Sequence, residues 1–282
     1  MSDDTEDSGR KLSGRIIQPA TQRNTRITGL FWGSAGTGKT TLACTAPGKK
    51  LLVNFDPDGP ASVAGFPDTD VVDFSDASNS IVDQFKKSDP LGLNSVLADY
   101  DTIIFDSLTN ISHKALMHGI PQTKGATIER PSPGAYGVRN ALVLQLVKNT
   151  LATTAKLGKH VIFIAHEDAP VTNEEGLVLH ITLSLGGKLP EQAALDFSEV
   201  WCVQDMGVGR DRRVLFRPAR QRKPMKTRMF DTTGEPEFEW AFDPEEYADD
   251  PAGYKGVTIE RLYNDWKANE FKKIPVPKAK KK

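Results

Sequence analysis

Gly33-Ser34-Ala35-Gly36-Thr37-Gly38-Lys39-Thr40 fits G-x-x-x-x-G-K-[ST] at every position. Glycines at these places let the backbone curl so that its N–H groups surround a phosphate. Lys39 then reaches the β- and γ-phosphates, and Thr40 supplies a hydroxyl to Mg2+. The nucleotide-contacting stretch is Gly33, Ser34, Ala35, Gly36, Thr37, Gly38, Lys39, Thr40 and Thr41. The motif has force only between a strand and a helix. Arg26-Ile27-Thr28-Gly29-Leu30-Phe31-Trp32 reads as the strand, and Thr40-Thr41-Leu42-Ala43-Cys44 opens the helix, whose N-terminal dipole also favours an anion.

Outward from this turn, apolar runs recur. They are Leu51–Asp56, a weaker Val71–Phe74, Thr102–Asp106 and His160–His166. Each is nearly continuous rather than alternating, as parallel strands covered on both faces should be. Tyr136–Leu157 has a helical pattern through Leu142, Leu144, Leu146, Val147 and Leu151, and stops at Gly158. Strands alternating with helices predict an α/β fold, a mostly parallel central sheet flanked by helices. The run Leu51–Asp56 is expected to neighbour the Gly33–Thr40 loop and its strand, so that its carboxyl end faces the γ-phosphate. After Asp168 the pattern changes. Asn173-Glu174-Glu175-Gly176 reads as a hairpin turn into Leu177–Leu183, and short strands follow at Val200–Val203 and Val214–Phe216, a C-terminal antiparallel hairpin extension.

Charge then segregates. Residues 210–230 hold nine Lys/Arg and one acid, while 231–250 hold nine acids and no base. Ile259, Leu262, Tyr263 and Trp266 mark an amphipathic helix. The chain therefore divides into a polar, flexible arm (1–24), a nucleotide-binding core (25–230), an acidic segment with a C-terminal helix (231–271), and a basic, proline-broken, disordered tail (272–282). Over 282 residues, 36 Lys+Arg oppose 37 Asp+Glu, a net charge of −1. No apolar run approaches the roughly twenty residues of a membrane span, and the acidic Met1–Asp7 is no secretory signal. Two cysteines, Cys44 and Cys202, make no disulfide framework, so a cytoplasmic location is expected.

Phosphate chemistry needs a second carboxylate beside the metal. Asp106 ends the strand Ile103-Ile104-Phe105, although it also stands where a helix cap would. No Glu follows it, so a water must be polarised from elsewhere. Asp58, just past the strand ending at Asp56, is the candidate, while Asp56-Pro57-Asp58-Gly59 is equally an ordinary turn sequence. His166 and Glu167 close the His160–His166 strand, where polar groups can sense a γ-phosphate or simply satisfy the structure.

These pieces, in this order, resemble the RecA-like P-loop ATPases. Gly33–Thr41 looks like their Walker A, Phe55-Asp56-Pro57-Asp58 like the segment carrying their catalytic acid, Ile103–Ser107 like their Walker B, and Val161–His166 like their sensor strand. Asp58 stands where typical members have Glu, and His166 where they have Gln. Ala165-His166-Glu167, Gly187-Lys188-Leu189-Pro190 and the late Arg-rich stretch resemble more narrowly the phage-encoded Sak-type single-strand annealing ATPases. The resemblance implies an ATP- and Mg2+-dependent, DNA-stimulated ATPase. It implies a homo-oligomeric ring or filament on single-stranded DNA, annealing in phage recombination, and a single-strand-binding protein as partner. It also implies a basic residue reaching a neighbour's γ-phosphate, with Arg222 and Lys226 the candidates, though the 210–230 charge run reads equally as a solvated face or an ion-pair partner for 231–250.

DNA contacts are expected from Lys124, Arg130, Tyr136 and Arg139, and from the Lys-rich tail. The 173–176 turn is too acidic to hold phosphates. Two readings stay open beside the ATPase: an ATP-gated loader or scaffold for replication proteins, and a P-loop small-molecule or nucleotide kinase.

Overall fold

The computed structural model describes residues 11–13, 15–16, 25–57, 59–207 and 211–277. Most of the 1–24 arm, Asp58, Arg210 and the Lys278–Lys282 end of the tail lie outside the described residues. Strands β1 (Lys11–Leu12) and β2 (Arg15–Ile16) form a small antiparallel ribbon.

The eight-stranded sheet uses β3 (Thr28–Gly33), β4 (Lys50–Asn54), β5 (Thr69–Asp73), β6 (Thr102–Asp106) and β7 (His160–His166), then, after a separate hairpin of β8 (Val171–Thr172) and β9 (Val178–His180), β10 (Glu199–Asp205), β11 (Asp211–Leu215) and β12 (Glu237–Ala241). Its order is β12-β11-β10-β3-β7-β6-β4-β5. The six strands from β10 to β5 are parallel, and β11 and β12 add antiparallel edges. This is the expected α/β arrangement with a mostly parallel central sheet, the His166 strand lying between the Gly33 strand and the Asp106 strand.

One expectation is overturned. The Leu51–Asp56 run does not neighbour the Gly33 strand, because β7 and β6 lie between β3 and β4. A run of apolar residues specifies burial on both faces but carries no information about which neighbour supplies it. The sheet also continues past residue 230. Glu237–Ala241 alternates, with Phe238 and Trp240 inward, and becomes the edge strand β12.

Alternation across the pleat divides the core in two. Leu30, Trp32, Phe105 and Phe163 face a layer containing α2 (Leu108–Gly119), α3 (Pro133–Ala155) and α4 (Leu189–Leu195). Phe31, Ile104, Ile162 and Ile164 face α1 (Lys39–Cys44), α5 (Pro244–Asp249) and α6 (Ile259–Ala268). Phe105 and Phe163 stack at 4.5 Å and tie the two central strands together. Thr258 caps α6 by accepting from Arg261 N at 3.1 Å. The helix start is tied to the end of α1, with Ile259 N donating to Thr45 Oγ1 at 3.0 Å and Glu260 N to Thr45 O at 2.9 Å. The C-terminal helix thus braces the helix that follows the glycine-rich turn. No helix among the described residues is long and apolar enough to cross a membrane.

Candidate nucleotide-binding site

Strand register brings the polar strand ends to one level. Gly33 pairs with His166, and Asp106 pairs with Asn54 on one side and Ile164 on the other. Ligands bind parallel sheets at this carboxyl edge. Gly33 is required there because a Cβ on it would meet the Val203 carbonyl oxygen at 2.1 Å. Gly38 precedes α1 with φ 85°, a left-handed conformation that glycine adopts freely. Helix α1 has only six residues, so the amides of the loop, more than a helix dipole, present the positive field.

Lys39 is buried and folds back, Nζ donating to Ser34 O at 2.7 Å. Burial lowers the pKa of its ammonium, and Asp106 and Asp56 oppose that shift. Thr40 Oγ1 donates to Asp106 Oδ2 at 2.6 Å. Asp106 is 2% exposed, and burial pushes its carboxyl up to about 6. A hydroxyl and a carboxylate side by side are hard oxygen donors. They would suit Mg2+, which would supply positive charge to a bound phosphate.

A second cluster sits beside the first. Asp56 Oδ1 accepts from Ser107 Oγ at 2.7 Å and from Asn110 Nδ2, and Oδ2 pairs with His166 Nε2 at 3.1 Å. Burial alone would raise the Asp56 pKa, but His166, Ser107 and Asn110 together hold it below its ordinary value. Backbone placement of His166 comes from Thr109, whose Oγ1 accepts from His166 N at 2.9 Å. Ser107 is also the cap of α2, so the cluster joins strand ends to that helix.

Glu167 completes the edge. Its N donates to Gly33 O at 2.9 Å, and its carboxylate takes the Arg222 guanidinium in a fork, at 2.9 Å from Nε and 3.1 Å from Nη2. Ser34 Oγ donates to the same carboxylate at 3.2 Å.

A family model described as an AAA domain matches residues 25–193. The chain belongs to the AAA-domain family. Among solved structures it is similar to a KaiC-like protein from Pyrococcus horikoshii (18% identity, covering 78% of this chain and 87% of that one, TM-score 0.41). It is also similar to the RadB recombinase (9% identity, 78% and 88%, TM-score 0.44). No curated protein sequence matches it significantly.

In this AAA-domain chain the structure brings Gly33–Thr41, Asp106, His166, Glu167 and Arg222 together at the sheet edge. Lys226 lies elsewhere. It pairs with Val200, level with Leu30 in mid-sheet, and its Nζ donates to Leu195 O at 3.0 Å. Lys124 and Arg130 are exposed in the segment between α2 and α3. Arg139 is withdrawn, 7% exposed, beneath the Tyr136 ring at 4.9 Å and against Gly186 O at 3.3 Å. The residue that sequence reasoning passed over is Asp56. Its signal was there, a carboxylate just beyond a strand end, but Asp58 matched the resemblance better.

Proposed function

We propose that the protein is a Mg2+-dependent ATPase that assembles with itself on single-stranded DNA and promotes annealing or strand pairing. The observation that supports this most is that two polar clusters lie side by side at the sheet edge, Lys39 with Thr40–Asp106 and His166–Asp56 with Asn110 on α2. Helix α2 leads directly into the exposed segment carrying Lys124 and Arg130. The strand-end clusters have the donors for a triphosphate, and the segment after α2 has cations for a phosphate backbone.

Lys39 and the loop amides hold the β- and γ-phosphates. Thr40 and Asp106 hold Mg2+, which when bound neutralises charge developing on the phosphate oxygens. His166, oriented by Asp56, hydrogen-bonds the γ-phosphoryl and reports its presence. Asp58 takes the proton of the attacking water. The water oxygen bonds to the γ-phosphorus as the bond to the β–γ bridging oxygen breaks, and ADP and phosphate leave. Tyr136 gives a stacking face beside the cationic segment. A single-strand-binding protein is the partner that would present the strand.

One feature favours the loader reading as the second. Hairpin β8–β9 exposes Val171, Leu177, Val178 and Leu179, of which Leu177 is 61% and Leu179 57% accessible. Such an apolar arm suits protein better than phosphate. The two readings separate in a strand-annealing assay with complementary labelled oligonucleotides. The proposed function predicts annealing that depends on ATP and fades with salt. Annealing absent at every nucleotide state and salt concentration would remove it, and would leave ATP-dependent protein capture as the loader's signature.

A further inference from the structure

The backbone around Arg222 is held on both sides. Arg222 N donates to Ala219 O at 2.9 Å. Its neighbours grip the base of the hairpin, with Ile181 N donating to Gln221 O at 2.9 Å and Lys223 N to Ile181 O at 3.1 Å. The side chain is 16% exposed and its partner Glu167 is 10% exposed. The Gln204 amide faces the same guanidinium, and with its oxygen turned towards Arg222 it accepts from Nε at 2.9 Å. Glu167 in turn touches Ser34 Oγ, and the Ser34 carbonyl holds Lys39 Nζ. Only one carboxylate therefore separates the guanidinium from the loop that would wrap the phosphates of its own chain.

We propose that Arg222 is this chain's own γ-phosphate ligand, parked on Glu167 until a triphosphate displaces that carboxylate. The proposal rests on the nucleotide-binding reading above, and it places the arginine in cis rather than on a neighbouring protomer. A guanidinium accepts a carboxylate and a phosphoryl group through the same two-pronged geometry, so one oxyanion can replace the other without rebuilding the site. The γ-phosphoryl brings more negative charge than Glu167 and repels it, so Glu167 also lets go of Ser34. A diphosphate, ending one phosphoryl short, leaves the Glu167–Arg222 pair closed. Because Gln221 and Lys223 hold Ile181, movement of Arg222 is passed to β9 and the exposed hairpin. The exchange makes and breaks hydrogen bonds only.

Two measurements test this. In the first, binding of ATPγS and ADP with Mg2+ is measured by calorimetry, with light scattering confirming single chains at the concentration used. Arg222→Ala is expected to weaken ATPγS about tenfold or more and leave ADP unchanged, with Arg222→Lys between. Glu167→Gln is expected to tighten ATPγS and leave ADP unchanged. Equal ATPγS affinity in Arg222→Ala and wild type, or weaker ATPγS binding in Glu167→Gln, would overturn the proposal. In the second, Arg222→Ala is mixed with Lys39→Ala. The mixture is expected to hydrolyse ATP no faster than the sum of its parts. Restored turnover would mean that the arginine is donated between chains. A wild type that binds ATPγS but does not turn over ATP would instead count against the hydrolysis reading, while the binding results would still decide the role of Arg222.

Discussion

Three side chains close on the Asp56 carboxylate, and a fourth, Thr109, fixes the backbone of the histidine it holds. In this geometry Asp56 acts through His166, so it is a positioning residue. Asp56→Asn is expected to lower kcat about 10²-fold, the size of effect that follows when a catalytic group is displaced by about an ångström. ATP affinity should stay unchanged, because Lys39 and Thr40 are untouched. A variant with normal kcat would show that the pair is structural. Much of this site was legible residue by residue. Gly33–Thr41 and Asp106 announce themselves because phosphate and metal chemistry demand fixed spacings. Asp56 does not, since its role depends on contacts 51, 54 and 110 residues away. The pairing of Glu167 with Arg222 across 55 residues was equally invisible to local pattern.

At the scale of elements, the strands buried on both faces were readable as apolar runs, and β6 and β7 appear with the bounds those runs suggest. Neighbour relations were not readable. Strand β12 was hidden inside a run of nine acids, although its inward Phe238 and Trp240 keep a period of two. One of those acids finds partners in the basic stretch before it. Glu237 lies 3.0 Å from both Arg213 and Arg220. Helix α6 is the element whose value is most testable. Trp266 is 3% exposed and packs edge-on to Phe271 at 5.2 Å. Trp266→Ala should cost about 3–5 kcal/mol in urea unfolding. Because α6 braces Thr45 at the end of α1, the same variant should also weaken ATP binding. Full stability in the variant would mean that α6 is not part of the cooperative core.

For the molecule as a whole, pH acts through buried groups of opposite sense, His160 and Glu199 among them. Burial pushes His160 down to about 4, while its Nδ1 accepts from Ile27 N at 3.0 Å. The unfolded chain takes up this proton near 6.5, so the contribution of His160 is complete above that pH and is lost as pH falls towards 4, up to about 3 kcal/mol. Burial raises Glu199 to about 7, so its protonated form favours the fold below its unfolded value of 4.5 and that gain fades as pH rises to 7. The difference between wild type and His160→Asn isolates the first effect. The wild type should lose its melting-temperature advantage between pH 6.5 and 4, and a constant difference would refute the assignment. The proposed function couples the strand-end site to the exposed Lys124 and Arg130 beyond α2. Steady-state phosphate release from ATP, with and without single-stranded DNA and with Lys39→Ala as the blank, addresses it most directly. The account predicts hydrolysis that single strands accelerate and that salt returns to the basal rate. Hydrolysis indifferent to DNA at every salt concentration would contradict it.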